Sequence, residues 1–169
     1  PLEGLIMGTR CGDIDPGVIY TIACKENMTL DEINTFLNKQ CGVQGISGLS
    51  SDMREVQTEA EHGNYQAMLA LKVLSYRLKK YIAAYFGVMN GADLIVFTGG
   101  IGENSDTVRR MAVGNLDALG IILDDQKNDG TRSSETIIST DDSPVKIMII
   151  PTNEELVIAM ETERIIRNK

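Results

Sequence analysis

Arg10 stands between two glycines in Met7-Gly8-Thr9-Arg10-Cys11-Gly12-Asp13-Ile14-Asp15-Pro16, a stretch with neither helical nor strand periodicity. A guanidinium presents a fixed fork of donors that matches carboxylate or phosphate oxygens. The same residue could instead clamp its own loop by pairing with Asp13 or Asp15, and spacing leaves both readings open. Asp52-Met53-Arg54 offers a planar cation for stacking on an adenine and a carboxylate for its amino group. An exposed salt-bridged turn would use the same two charges.

Leu94-Ile95-Val96-Phe97 reads as a buried strand that stops in Thr98-Gly99-Gly100-Ile101-Gly102-Glu103-Asn104. A helical pattern resumes at Val108-Arg109-Arg110-Met111-Ala112. Glycines after a strand let backbone approach a bulky ligand, and free N–H groups at a helix start attract anions. The spacing is neither G-x-G-x-x-G nor a P-loop, so a plain tight connection remains open. Thr152-Asn153-Glu154-Glu155 follows an apolar run at Pro151. Its acidic pair could hold Mg²⁺, which prefers oxygen ligands and keeps several waters. Helix capping by Asn153 or Thr152, with the glutamates favoured by the dipole, is the alternative.

These segments need elements to position them. Asp15-Pro16 has the form of an N-cap followed by proline at the first helical position. Val18, Ile19, Ile22 and Ala23 then share a face. Thr29-Leu30-Asp31-Glu32 is a capping-box pattern, opening a helix that turns Ile33, Phe36 and Leu37 inward. Residues 42–51 read as an ordered Gly- and Ser-rich loop, because Val43, Ile46 and Leu49 recur every three residues. The longest helical pattern runs from Tyr65 to Met89, with a stripe through Leu71, Leu74, Leu78, Tyr81, Ile82 and Tyr85. Lys72, Arg77, Lys79 and Lys80 belong to its solvated face. Beyond residue 120, Gly120–Leu123, Thr136–Ser139 and Val145–Ile150 are short strands, Asp124–Ser134 is an exposed loop, and a final helix turns Leu156, Ile158, Ala159 and Ile165 inward. Helices first, then alternating strands and helices, give a mixed α/β plan with a central sheet, whose ligands gather beyond strand carboxyl ends.

The 169 residues suffice for one domain with a core, and the hydrophobic share of 43% is ordinary for a globular chain. No apolar run approaches the roughly 18–20 residues of a membrane span. A formal net charge of −8 argues against nucleic acid and anionic membranes, which need clustered Lys and Arg. Cys11, Cys24 and Cys41 are widely spaced and His62 is the single histidine, sitting in a polar connector. That composition disfavours zinc and suits a reduced, cytoplasmic protein. Pro1-Leu2-Glu3-Gly4 reads as the middle of a longer sequence.

Taken together, four segments resemble the acetate kinase (acetokinase) family. They are residues 1–16, Ser47-Gly48-Leu49-Ser50-Ser51-Asp52-Met53-Arg54, Phe97-Thr98-Gly99-Gly100-Ile101-Gly102-Glu103-Asn104-Ser105, and Ile150-Pro151-Thr152-Asn153-Glu154-Glu155. The resemblance implies an α/β fold of the actin-like ATPase (ribonuclease H-like) type, with a central mixed sheet flanked by helices. It implies one domain over residues 1–169, the C-terminal nucleotide-binding half of such an enzyme. It also implies transfer of the ATP γ-phosphoryl group to acetate, giving acetyl phosphate and ADP, with Mg²⁺ and a homodimer.

Carried over by position, Arg10 matches the arginine on acetate and the transferring phosphoryl. Asp52, Met53 and Arg54 match the adenosine pocket, and Gly99, Gly100, Ile101, Gly102 and Asn104 match the glycine segment that holds the nucleotide. Glu154 matches the acidic residue at the Mg²⁺ site, with Glu155 adjacent. The family's Asn-x-Gly-Ser-Ser-Ser loop, catalytic aspartate, second arginine and His-Leu-Gly-x-Gly segment have no counterpart, so the N-terminal half is expected to be missing and the chain alone inactive. A propionate or butyrate kinase fragment and a non-catalytic actin-like nucleotide-binding module are the alternatives.

Overall fold

The computed structural model describes residues 2–167. They divide into two compact units. The first takes the chain up to Ala92 together with Thr107–Gly114; the second takes Asp93–Asp106 and the chain from Asn115 onward.

The first unit is helical. Asp15 caps α1 (Pro16–Glu26), its Oδ1 accepting from the Gly17 N–H at 2.7 Å. α2 (Leu30–Lys39) opens with the expected reciprocal box: the Glu32 N–H donates to Thr29 Oγ1, and the Thr29 N–H donates to Glu32 Oε2. Ile33 and Leu37 of α2 are buried. α1 buries none of its residues fully, but of the four expected to share a face Ile19, Ile22 and Ala23 are its half-buried positions, while Val18 is exposed.

Residues 42–47 correct the expected loop, forming α3 (Gly42–Ser47) with Val43 fully buried. α4 (Met53–Glu61) follows, and α5 (Tyr65–Val88) runs for 24 residues. α3 and α4 both pack on α5, around Ala67, Ala70, Leu71 and Leu74. The stripe expected on α5 is therefore buried only in its first half; Tyr85 stays exposed.

The second unit holds a three-stranded mixed sheet in the order β1-β3-β2. β1 (Leu94–Phe97) runs parallel to β3 (Lys146–Ile149) with Phe97 opposite Ile149, while β2 (Thr136–Ile137) runs antiparallel to β3. Gly120–Leu123 is not a full strand: Ile121 bridges Val145 and Leu123 bridges Ser139. The core holds Phe97, Ile121, Ile138, Val145, Ile147 and Ile149. β1 is not wholly buried as expected, since Leu94 and Val96 are 45% and 41% exposed.

α6 (Gly99–Asn104) follows β1 at once, and α7 (Asp106–Val113) begins two residues earlier than its apolar pattern suggested. The expected exposed loop at 124–134 contains α8 (Asp125–Asn128), whose Asn128 is fully buried and donates to the Asp106 carbonyl at 3.0 Å. α9 (Glu154–Arg167) buries no residue, so Leu156, Ile158, Ala159 and Ile165 do not turn inward as expected.

Candidate functional site

Arg10 sits on a loop whose backbone is tied down almost residue by residue. α3 starts without a side-chain cap at Cys41, leaving N–H groups that need acceptors. The loop supplies them: the Cys41, Val43 and Gln44 N–H groups donate to the carbonyls of Thr9, Met7 and Gly8 at 3.0, 2.9 and 2.9 Å. Cys11 N–H donates to the Leu37 carbonyl at 3.1 Å, and Thr9 Oγ1 donates to the Asn38 carbonyl at 2.9 Å. The Arg10 side chain, in contrast, is exposed, and no ion pair holds it among the described residues. It lines an open depression of about 830 Å³ with Thr9, Asn34, Asn38 and Lys39.

The clamp reading of Arg10 needed Asp13 or Asp15, and both are engaged elsewhere. Asp13 Oδ1 accepts from the Gly4 N–H at 2.6 Å, and Oδ2 accepts from Arg77 Nη2 at 2.9 Å and from the Tyr81 hydroxyl. The Tyr81 and Gly4 hydrogen bonds hold the Asp13 carboxyl below its ordinary range, with the Arg77 charge adding to the effect. Arg77 is thus no member of a merely solvated basic face: it is half-buried and clamps the Arg10 segment from α5. Asp15 spends its carboxylate on the N-terminus of α1.

Asp52 and Arg54 form the turn that the sequence left as an alternative. Asp52 Oδ1 caps α4 by accepting from the Arg54 N–H at 2.9 Å. Arg54 Nη2 reaches Oδ2 at 2.6 Å and Nε reaches both oxygens at 3.1 and 3.2 Å. The side-chain and backbone hydrogen bonds from Arg54 bring the Asp52 carboxyl down to about 2. The Arg54 side chain is 84% exposed, so pairing leaves its planar face open. Met53 is half-buried between them. Gly8 brings the Arg10 loop against this segment, because a Cβ there would lie 3.3 Å from Ser51 Cβ.

In the second unit the glycine segment is a single helical turn rather than an open turn. Gly99 takes φ +71°, left-handed backbone that favours glycine. A Cβ on Gly99 or Gly100 would meet nothing within 4 Å, so the outer surface of this turn is open. Gly102 serves packing instead, where a Cβ would lie 3.4 Å from the Phe97 backbone. Ile101 is half-buried. Asn104 Nδ2 donates to the Gly100 carbonyl at 2.9 Å and Oδ1 accepts from Ser133 Oγ, so this side chain braces the turn.

Glu103 is the bracing residue of the candidate site that the sequence pattern did not single out. It is 7% exposed, and one oxygen, Oε1, accepts from Gly99 N–H at 2.8 Å, Thr152 N–H at 2.7 Å and Thr152 Oγ1 at 2.9 Å. The Thr152 backbone bond is the largest cause holding its carboxyl below the ordinary range. Glu103 therefore joins the glycine turn to the loop that precedes Glu154. The only advance signal was an acidic residue inside a Gly-rich helix start.

Thr152 being so engaged, Asn153 caps α9, its Oδ1 accepting from the Leu156 N–H at 3.0 Å. Glu154 and Glu155 are exposed in the first turn. Among the described residues, no three His, Cys, Asp or Glu side chains converge as a metal cage. Exposed carboxylates in the first turn of a helix that follows a braced loop fit the sparse coordination of Mg²⁺, which takes one or two protein carboxylates beside substrate phosphates.

The structure thus places Arg10, Asp52, Met53 and Arg54 in the first unit and Gly99 to Asn104 and Glu154 in the second. Comparison with known proteins gives this arrangement a relationship. An acetate kinase from Methanosarcina thermophila is 50% identical over 169 residues, covering 100% of this chain and 41% of the relative. The crystal structure of Porphyromonas gingivalis acetate kinase superposes with a TM-score of 0.93 at 43% identity, over 98% of this chain and 42% of the other. A propionate kinase from Francisella tularensis superposes at 0.86 with 45% identity, over 95% and 41%. The chain therefore spans about two fifths of the length of these relatives. The neighbours carry the actin-like ATPase fold, in agreement with the α/β class and mixed sheet expected from the sequence. The model of the Acetokinase family matches residues 1–160, and this chain belongs to that family.

Proposed function

We infer that the chain is the carboxyl-terminal, nucleotide-binding part of an acetate kinase. The observation that carries this reading is Arg10: an exposed guanidinium without an ion partner among the described residues, on a backbone fixed by α2 and α3. A carboxylate oxygen of acetate attacks the γ-phosphorus of ATP, the bond to the β,γ-bridging oxygen breaks, and acetyl phosphate and ADP form. Phosphoryl transfer asks the protein chiefly for positioning and for charge stabilisation. Arg10 would supply a cation to the acetate carboxylate and the equatorial phosphoryl oxygens.

Asp52, Met53 and Arg54 would hold adenosine, with Arg54 stacking by its open face. The uncovered surface at Gly99 and Gly100, with Ile101, Gly102 and Asn104 completing the turn, would face the nucleotide. Glu154 would reach Mg²⁺ through its carboxylate, and the ion would neutralise phosphate charge. The placement at the carboxyl-terminal end rests on the four motif matches and their order. Coverage of 41% fixes only how much of a relative is spanned.

The further residues that phosphoryl transfer needs would come from the remainder of the parent chain, and without them the 169-residue chain should be inactive. The exposed Leu156, Ile158, Met160 and Ile166 of α9 suit burial against further protein, in keeping with a homodimer. The free cysteines fit a reducing cytoplasm. The test is an acyl-phosphate product assay on the complete parent with ATP and acetate, propionate or butyrate. Acetyl phosphate as the preferred product supports the reading. Preference for propionate would move the chain to the function named for its Francisella neighbour. Nucleotide binding without any acyl phosphate would leave a non-catalytic module.

A further inference from the structure

We propose that Gly42 is a positioning residue for Arg10: the missing side chain at Gly42 makes the seat on which the Arg10 backbone rests. The inference rests on the reading of Arg10 as the substrate-facing arginine. Gly42 is buried at φ +67°, and a Cβ built on it would lie 2.2 Å from the Met7 carbonyl oxygen, 2.8 Å from the Arg10 carbonyl oxygen and 2.9 Å from the Arg10 nitrogen. These neighbours are backbone, not flexible side-chain ends, so the loop itself must shift to admit even one methyl. The hydrogen bonds from Cys41, Val43 and Gln44 to Thr9, Met7 and Gly8 run across the same contact. Loop and helix start are thus one interlocked piece, and the guanidinium inherits its origin from it. Misplacement of a reacting or charge-stabilising group by about 1 Å can cost on the order of 100-fold in rate.

The test uses the complete parent enzyme with a built-in control. Gly48 shares φ +67°, but a Cβ there meets nothing within 4 Å. Gly42→Ala and Gly48→Ala therefore impose the same backbone conformation on alanine, and only Gly42→Ala pushes on Arg10. Gly42→Ala should lower kcat by about 10- to 100-fold, with KM for ATP nearly unchanged, while Gly48→Ala keeps kcat. The effect should vanish in an Arg10→Ala background, where Gly42→Ala should cost less than about 2-fold, because residues acting through one group are non-additive.

Should Gly42→Ala fail to fold, Thr9→Val decides. It removes the 2.9 Å bond to the Asn38 carbonyl at nearly constant side-chain size and leaves the Gly42 seat untouched. It should lower kcat by about 2- to 10-fold, the worth of one hydrogen bond, and again only when Arg10 is present. Equal losses with and without Arg10 would overturn the inference and leave the catalytic reading of Arg10 standing. A normal kcat for Arg10→Ala alone would instead overturn that reading.

Discussion

One oxygen of Glu103 accepts both the N–H and the hydroxyl of Thr152, at 2.7 and 2.9 Å, across 49 residues of sequence. It is the tie between the turn after β1 and the turn after β3. Those two turns lie at the carboxyl ends of neighbouring parallel strands, where ligands of α/β sheets gather.

Glu103→Gln should therefore destabilise the second unit. The amide keeps an acceptor but loses the charge that makes three bonds to one oxygen favourable, and its new donor enters a buried site. Hydrogen bonds to a charged acceptor are worth about 1.5–3 kcal/mol each, and we expect a loss of about that size in total. Urea unfolding of the chain checks this, and an unchanged midpoint would show the tie to be dispensable.

Acid should loosen the first unit through Asp13. Its folded pKa lies below the ordinary 3.8, so the stability it contributes is fully present above that value and is lost as pH falls through the folded one. Asp52, brought down to about 2, acts in the same direction over pH 4 to 2. Asp13→Asn should melt below the wild type at pH 7, and the gap should narrow as pH falls below about 4. Melting temperatures at stepped pH measure this, and a gap independent of pH would mean that the charge at Asp13 is immaterial.

How far the sequence anticipated these contacts depends on their range. The caps at Asp15 and Thr29 were legible because the partners lie two and three residues away. α5 was legible because 24 residues keep one helical period. α3 was not, since its glycines lower local helix propensity and its first N–H groups are satisfied by residues 7–9. Arg77 looked solvated because its partner, Asp13, is 64 residues distant. The exposed apolar residues of α9 misled the pattern for another reason: periodicity reveals an apolar face but not where its cover comes from. Within the candidate site, the contact of Glu103 with Thr152 and the approach of Gly42 to residues 7–10 span distances in sequence that no local window contains.

Gly100→Ala should keep the fold and weaken the nucleotide. A Cβ there meets nothing within 4 Å, and alanine is favoured over glycine in a helix by up to about 1 kcal/mol. The melting temperature should hold or rise, while Gly100→Val in the complete parent should raise the Kd for ADP by about 10-fold or more, a loss of about 1.4 kcal/mol. Calorimetry distinguishes the outcomes: unchanged affinity in both variants would place the nucleotide elsewhere.

The most direct test of the account is steady-state acyl-phosphate formation by the complete parent carrying Arg10→Ala, run beside a thermal melt. No ion pair of Arg10 exists among the described residues, so the melting temperature should hold. Loss of one preorganised donor to developing charge should lower kcat by on the order of 100- to 1000-fold, about 3–4 kcal/mol. Arg10→Lys should restore only part, since it brings charge without the planar fork. A folded Arg10→Ala enzyme with near-normal kcat would contradict the account.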